Sequence, residues 1–243
     1  MSELAIEAKD LTRTFGAFTA VDHITFDVKP GEVFGFLGAN GAGKTTAIRI
    51  LTGLLRPSSG SAKVAGFDVA TQSESIKQVI GYMSQRFSLY DDLTVRENIQ
   101  LYGGIYDIPR DELRDRIERL LDRLALSKAA DDAVRSLPLG WKQKLAFSVA
   151  LLHNPKVVFL DEPTGGVDPI VRRQFWEMIY DAAHAGTTVL VTTHYMDEAE
   201  YCNRITIMVA GKIAAYGTPA ELKRDAGVKS VDDLFVRLAR SAA

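Results

Sequence analysis

The chain has 243 residues, 47% of them hydrophobic and 25% charged, with 19 glycines and 8 prolines, proportions that exclude a disordered or collagen-like chain. A formal net charge of −2 gives no broad basic footprint for nucleic acid, and the one cysteine, Cys202, excludes an internal disulfide. The length suffices for one domain with a sizeable core.

Taken in chain order, the first ten residues hold acidic side chains and no apolar run, so no secretory signal is expected there. No stretch approaches the ~20 apolar residues of a membrane span, and a soluble, cytoplasmic chain is expected. Ile6–Ala8, Ile24–Val28 and Val33–Leu37 read as strands, with a Lys29-Pro30-Gly31 turn between the last two. A helical run covers Thr46–Leu55. From about Asp91 to Asn154 the pattern turns mostly helical. Thr94 and Glu97 form a capping box at one helix start, and Leu113, Ile117, Leu120, Leu121 and Leu124 make an apolar face at helical spacing. After Pro155, alternation returns: a strand over Val157–Leu160, a helix over Ile170–Ala183 and a strand over Thr188–Val191. Arg204–Val209 and Lys212–Tyr216 flank the turn Ala210-Gly211 as a hairpin, and a last helix covers Val231–Leu238. The alternation predicts an α/β core with a helical insertion.

The sharpest motif is Gly38-Ala39-Asn40-Gly41-Ala42-Gly43-Lys44-Thr45-Thr46, which satisfies G-x-x-x-x-G-K-[ST] between an apolar strand and a helical run. Glycines at 38, 41 and 43 let the backbone curl so that successive N–H groups face phosphate oxygens, and the next helix turns its positive end toward the same anion. Lys44 adds a point charge near the β- and γ-phosphates, and the Thr45 hydroxyl is a candidate Mg²⁺ ligand. Such a nucleoside-triphosphate site also needs an acid at the end of a neighbouring strand. Asp161 and Glu162, which follow Val157–Leu160, supply one carboxylate for Mg²⁺ and one to take a proton from water.

With these residues in place, the chain resembles the nucleotide-binding subunits of ATP-binding-cassette (ABC) transporters over nearly its whole length. Asp161-Glu-Pro-Thr-Gly-Gly-Val-Asp168-Pro is close to the family's Walker B and D-loop pattern, Gln85 matches the Q-loop glutamine, and His194 matches the switch histidine. Phe15 stands where the family places an aromatic that stacks on adenine. The resemblance implies a P-loop NTPase of the ABC cassette type with an antiparallel β part and a helical insertion. Residues 1–90 and 155–243 would be the catalytic core and 91–154 the helical subdomain of one domain. It further implies ATP and Mg²⁺, with Thr45, Gln85 and Asp161 at the metal, Glu162 as base and His194 at the γ-phosphate.

The family's signature, usually Leu-Ser-Gly-Gly-Gln, reads here Leu137-Pro138-Leu139-Gly140-Trp141. Pro138 lacks both the hydroxyl and the backbone N–H, and Leu139 is expected to resist glycine-only backbone angles. In the D-loop, Gly165 replaces the usual serine while Asp168 remains. This wording resembles a branch of ABC-2-type exporter ATPases linked to multidrug efflux. The resemblance implies transmembrane ABC-2-type permease partners, a second nucleotide-binding domain (identical or paralogous) and work at the cytoplasmic face of the membrane, with no nucleic acid. Phe87 and Tyr90 are candidate linings of a groove for the permease. The rival readings are a soluble ABC ATPase acting on ribosomes or another macromolecule, and a P-loop kinase or GTPase; no Asn-Lys-x-Asp guanine motif is present to favour the latter.

Overall fold

Alternating apolar and polar side chains make Ile6–Phe15 (β1) and Phe18–Val28 (β2) a one-face-buried antiparallel pair. In the computed structural model, which describes residues 4–85 and 89–241, β1 also pairs with Ser59–Val64 (β4), which pairs with Phe67–Asp68 (β5). The sheet order is β2-β1-β4-β5.

A second sheet holds Val33–Gly38 (β3), Ile80–Met83 (β6), Val157–Asp161 (β7), Thr188–Thr193 (β8), Arg204–Val209 (β9) and Lys212–Gly217 (β10), in the order β10-β9-β3-β8-β7-β6. All its pairings are parallel except β9 with β10. Every residue of β3, β7 and β8 is buried, as expected of parallel strands covered on both faces. The expected neighbour relation needs correction: the acid-bearing strand β7 does not adjoin β3. Strand β8 lies between them, and its side chains take part in the site.

Lys44–Leu51 (α1) lies between the two sheets with the ring cluster Phe26, Phe34 and Phe36, whose Phe26 centroid is 5.7 Å from Phe34 and 5.3 Å from Phe36. The helix is shorter than Thr46–Leu55. Thr52 caps it, its hydroxyl donating to the Ile48 carbonyl at 2.9 Å, and Gly53 follows with φ +73°. Ser73–Val79 (α2) leads into β6.

On the other face, Val95–Ile105 (α3), Arg110–Arg123 (α4), Leu139–Ala150 (α5) and Pro169–His184 (α6) share one apolar core. The capping box at Thr94 forms, and the leucine stripe of α4 is buried. Pro219–Ala226 (α7) and Val231–Ser241 (α8) close the chain. Among the described residues no helix is long and apolar enough to cross a membrane.

Candidate functional site

β3 runs straight into the glycine loop. Gly38, Gly41 and Gly43 have φ of +154°, +82° and +106°, and a Cβ on Gly43 would overlap the Ala20 carbonyl. Ala39, Asn40 and Gly41 form the exposed crest, while Ala42 is buried and Thr46 partly so. Lys44 opens α1 with its side chain 4% exposed. Its ammonium donates to the carbonyls of Gly38 at 2.7 Å and Ala39 at 3.1 Å and lies 3.5 Å from Glu162 Oε1. Burial pushes the Lys44 pKa down, and the facing Glu162 carboxylate opposes that shift.

The two strand ends meet through β8. Thr192 donates its hydroxyl to Asp161 Oδ1 at 2.6 Å, and the Thr45 hydroxyl reaches the same oxygen at 3.4 Å. The Glu162 amide donates to the Thr192 hydroxyl and carbonyl at 2.9 and 3.1 Å, which turns Glu162 away from the strand at φ +51°. Its carboxylate accepts from Gln85 Nε2 at 2.8 Å, and His194 Nδ1 stands 3.1 Å from Oε2 without hydrogen-bond alignment. Lys44, Thr45, Gln85, Asp161, Glu162 and His194 thus converge.

Phe15 ends β1 with its ring 47% exposed. The Arg13 guanidinium lies 4.6 Å from the ring centroid and donates to the Arg56 carbonyl at 2.9 Å. Neither Arg13 nor Thr192 is evident from the motifs. For Arg13 the sequence carries no signal, because register shifts of β1 against β2 on both sides of Arg13 break the strict alternation that would place it with Phe15. For Thr192, the signal was a threonine pair ending an apolar strand just before His194.

The variant signature forms the start of α5. Pro138 precedes the helix and Leu139 is its first residue with ordinary helical backbone, so the expected conflict with glycine-only angles does not arise. The demanding position is Gly140, where a Cβ would sit 2.6 Å from Val171 Cγ1. Leu137 packs on the core, Leu139 is 47% exposed, and the Trp141 ring lies 5.1 Å from the Lys144 ammonium. Gln143 donates to the Gly165 carbonyl at 3.1 Å, tying α5 to the 162–168 loop. Asp168 caps α6, accepting from Ile170 and Val171 amides at 2.9 and 3.1 Å. Tyr90 is 56% exposed, and Phe87 lies outside the described residues.

The ABC transporter family model matches residues 21–165. YbhF, a probable multidrug ABC transporter ATP-binding protein of Escherichia coli (strain K12), is 49% identical over 91% of this chain, which spans 38% of YbhF. The daunorubicin resistance ATP-binding protein DrrA3 of Streptomyces coeruleorubidus is 36% identical over 96% of the chain and 74% of its own length. A solved ATP-binding subunit of an ABC transporter superposes with a TM-score of 0.87 at 30% identity, covering 97% of this chain and 99% of that one.

Proposed function

The chain belongs to the ABC transporter family, and from that premise we propose that it hydrolyses ATP to power a membrane exporter of drugs or other small molecules. The observation that carries this reading is the Glu162 carboxylate, set 2.8 Å from Gln85 Nε2, 3.1 Å from His194 Nδ1 and 3.5 Å from Lys44 Nζ beside the glycine loop. Drug-resistance and multidrug names among the relatives support the export part.

In this reading the loop from Gly38 to Thr46 binds the phosphates, and Phe15 stacks on the adenine. Lys44 exchanges its bonds to the Gly38 and Ala39 carbonyls for phosphate oxygens. Among the described residues no group of three or more His, Cys, Asp or Glu side chains would hold a metal unaided. The Thr45 hydroxyl and Asp161 Oδ1, 3.4 Å apart, are hard oxygens of the kind Mg²⁺ takes alongside substrate phosphates, and Gln85, whose amide bonds the neighbouring Glu162, is the third proposed ligand. Held by these residues, Mg²⁺ would supply charge neutralisation on the phosphate oxygens. Glu162 takes the proton of the attacking water, and His194 holds the γ-phosphate. The α5 start around Pro138, Leu139 and Gly140, together with Asp168, faces a second nucleotide-binding domain. Transmembrane permease subunits, met at the cytoplasmic face near Tyr90, would convert closure and opening into transport.

The test is Mg-ATP hydrolysis by the purified chain and its Glu162→Gln variant, with size-exclusion chromatography in ATP. Glu162→Gln should bind ATP, elute as a dimer and turn over at least about a hundredfold more slowly, the scale of a lost general base. Rapid hydrolysis by that variant would remove Glu162 as the base. Failure of the unaltered chain to bind ATP would overturn the whole reading.

A further inference from the structure

Glu198 is a carboxylate with no exposed surface, four residues beyond His194 on the 3₁₀ segment Met196–Tyr201. Its Oε1 accepts the Thr164 hydroxyl at 2.6 Å, and its Oε2 finds no partner among the described residues. Arg172, in the first turns of α6, brings Nε to 3.7 Å from Glu198 Oε1 and Nη1 to 3.6 Å from Asp197. The same guanidinium lies 4.3 Å from the centroid of the Tyr195 ring, and that ring stands 4.2 Å from the ring of His194.

These contacts close a circuit. Glu162 faces His194, His194 rests on Tyr195, Tyr195 on Arg172 and Arg172 on Glu198. Glu198 holds Thr164, two residues beyond Glu162. The loop after β7 and the segment after β8 are therefore joined twice, by Glu162 with His194 above and by Thr164 with Glu198 below. Burying a charged carboxylate is unfavourable unless it is paired, and here the pairing is partial. A carboxylate kept in that state beneath a candidate γ-phosphate ligand points to a task beyond packing.

We propose that Arg172 and Glu198 are positioning residues for His194: they fix where the imidazole stands against Glu162 and tie it to the 163–168 loop and the start of α6. The proposal rests on the ATPase reading above. Arg172 acts through the Tyr195 ring, over which its guanidinium lies and against which the His194 ring packs at a tilt of 35°, and Glu198 acts by fixing Arg172 and Thr164 together. A shift of the first turn of α6 would then reach the imidazole through two ring contacts.

Steady-state hydrolysis by the full chain tests this with His194→Ala, Arg172→Ala, Arg172→Lys, the near-isosteric Glu198→Gln, and the double variant of His194 and Arg172. Arg172→Ala and Glu198→Gln should each lower kcat about tenfold with KM for ATP within about twofold, and Arg172→Lys should recover most of the loss. In the His194→Ala background, adding Arg172→Ala should change kcat by less than about twofold, because the two act as one unit. Unchanged kcat in Arg172→Ala, or losses that multiply in the double variant, would overturn the proposal. If His194→Ala itself keeps full turnover, the failure lies in the role given to His194. A second readout needs no turnover: ring ¹H–¹⁵N spectra of the four histidines in the nucleotide-free protein. Arg172→Ala and Glu198→Gln should move the His194 signals and leave the other three in place; an unmoved His194 overturns the proposal.

Discussion

Glu162 sits at φ +51°, a left-handed conformation that a non-glycine residue adopts only where its surroundings hold it. Thr192 does the holding with one hydroxyl, which accepts from the Glu162 amide at 2.9 Å and donates to Asp161 Oδ1 at 2.6 Å. Thr192→Val keeps the shape and removes both bonds, leaving a buried carboxylate short of a donor. It should lose about 1–3 kcal/mol of stability by denaturant titration, and turnover should fall further than ATP affinity. The glycine loop, Asp161, Glu162 and His194 were all legible in the sequence because each lies in a short contiguous pattern. Thr192 was not, because its importance comes from β8 being inserted between β3 and β7, and strand order is not written in chain order.

Among the elements, the β9–β10 hairpin was legible from its Ala210-Gly211 turn, and both turn residues have positive φ, +48° and +81°. Helix α3 was legible from its capping box; the same box at Thr218 and Glu221 opens α7, where the apolar pattern behind it is too short to draw notice. Strand β1 read as Ile6–Ala8 because register shifts against β2 break the alternation beyond Ala8. Between elements, His153 stacks on Tyr106 at 3.6 Å and donates from Nε2 to the Ile80 carbonyl at 3.0 Å, joining the end of α3 to β6. Burial holds its pKa below the ordinary 6.5, with the Ile80 carbonyl opposing. As pH falls through 6.5, the unfolded chain gains a proton that the folded one resists. Stability is therefore lost with falling pH until the folded His153 also titrates. His153→Gln, which keeps a donor for Ile80, should flatten the fall in urea midpoint between about pH 7 and 5.

Across the whole molecule, Arg204 binds the two sheets together at the end of β3 away from the glycine loop. It donates to Glu32 at 2.6 and 2.8 Å and to the Asp27 carboxylate and carbonyl at 3.0 Å, and it bonds the Tyr216 hydroxyl. These partners push the Arg204 pKa up, Glu32 foremost. Arg204→Met would leave the 8%-exposed Glu32 side chain without its ion-pair partner and with only the Lys29 amide, at 2.8 Å, and should lower stability by about 3–5 kcal/mol in thermal unfolding. ATP affinity, measured where the variant remains folded, should stay within about threefold, because the clasp and the loop occupy opposite ends of one strand.

At the other end of that strand, the hairpin turn backs the loop itself: the Gly211 amide donates to the Ala42 carbonyl at 3.1 Å, and the Gly211 carbonyl accepts from the Asp22 amide at 2.8 Å. For a chain emerging from the ribosome, this sets an order of events. Residues 38–46 leave the exit tunnel long before Ala210 and Gly211 do, so the nascent loop lacks its rear support until the hairpin is made. Contacts so distant in sequence form late in folding. In the ATPase reading, a translation pause before that hairpin would leave a complete motif whose loop still lacks the Gly211 support.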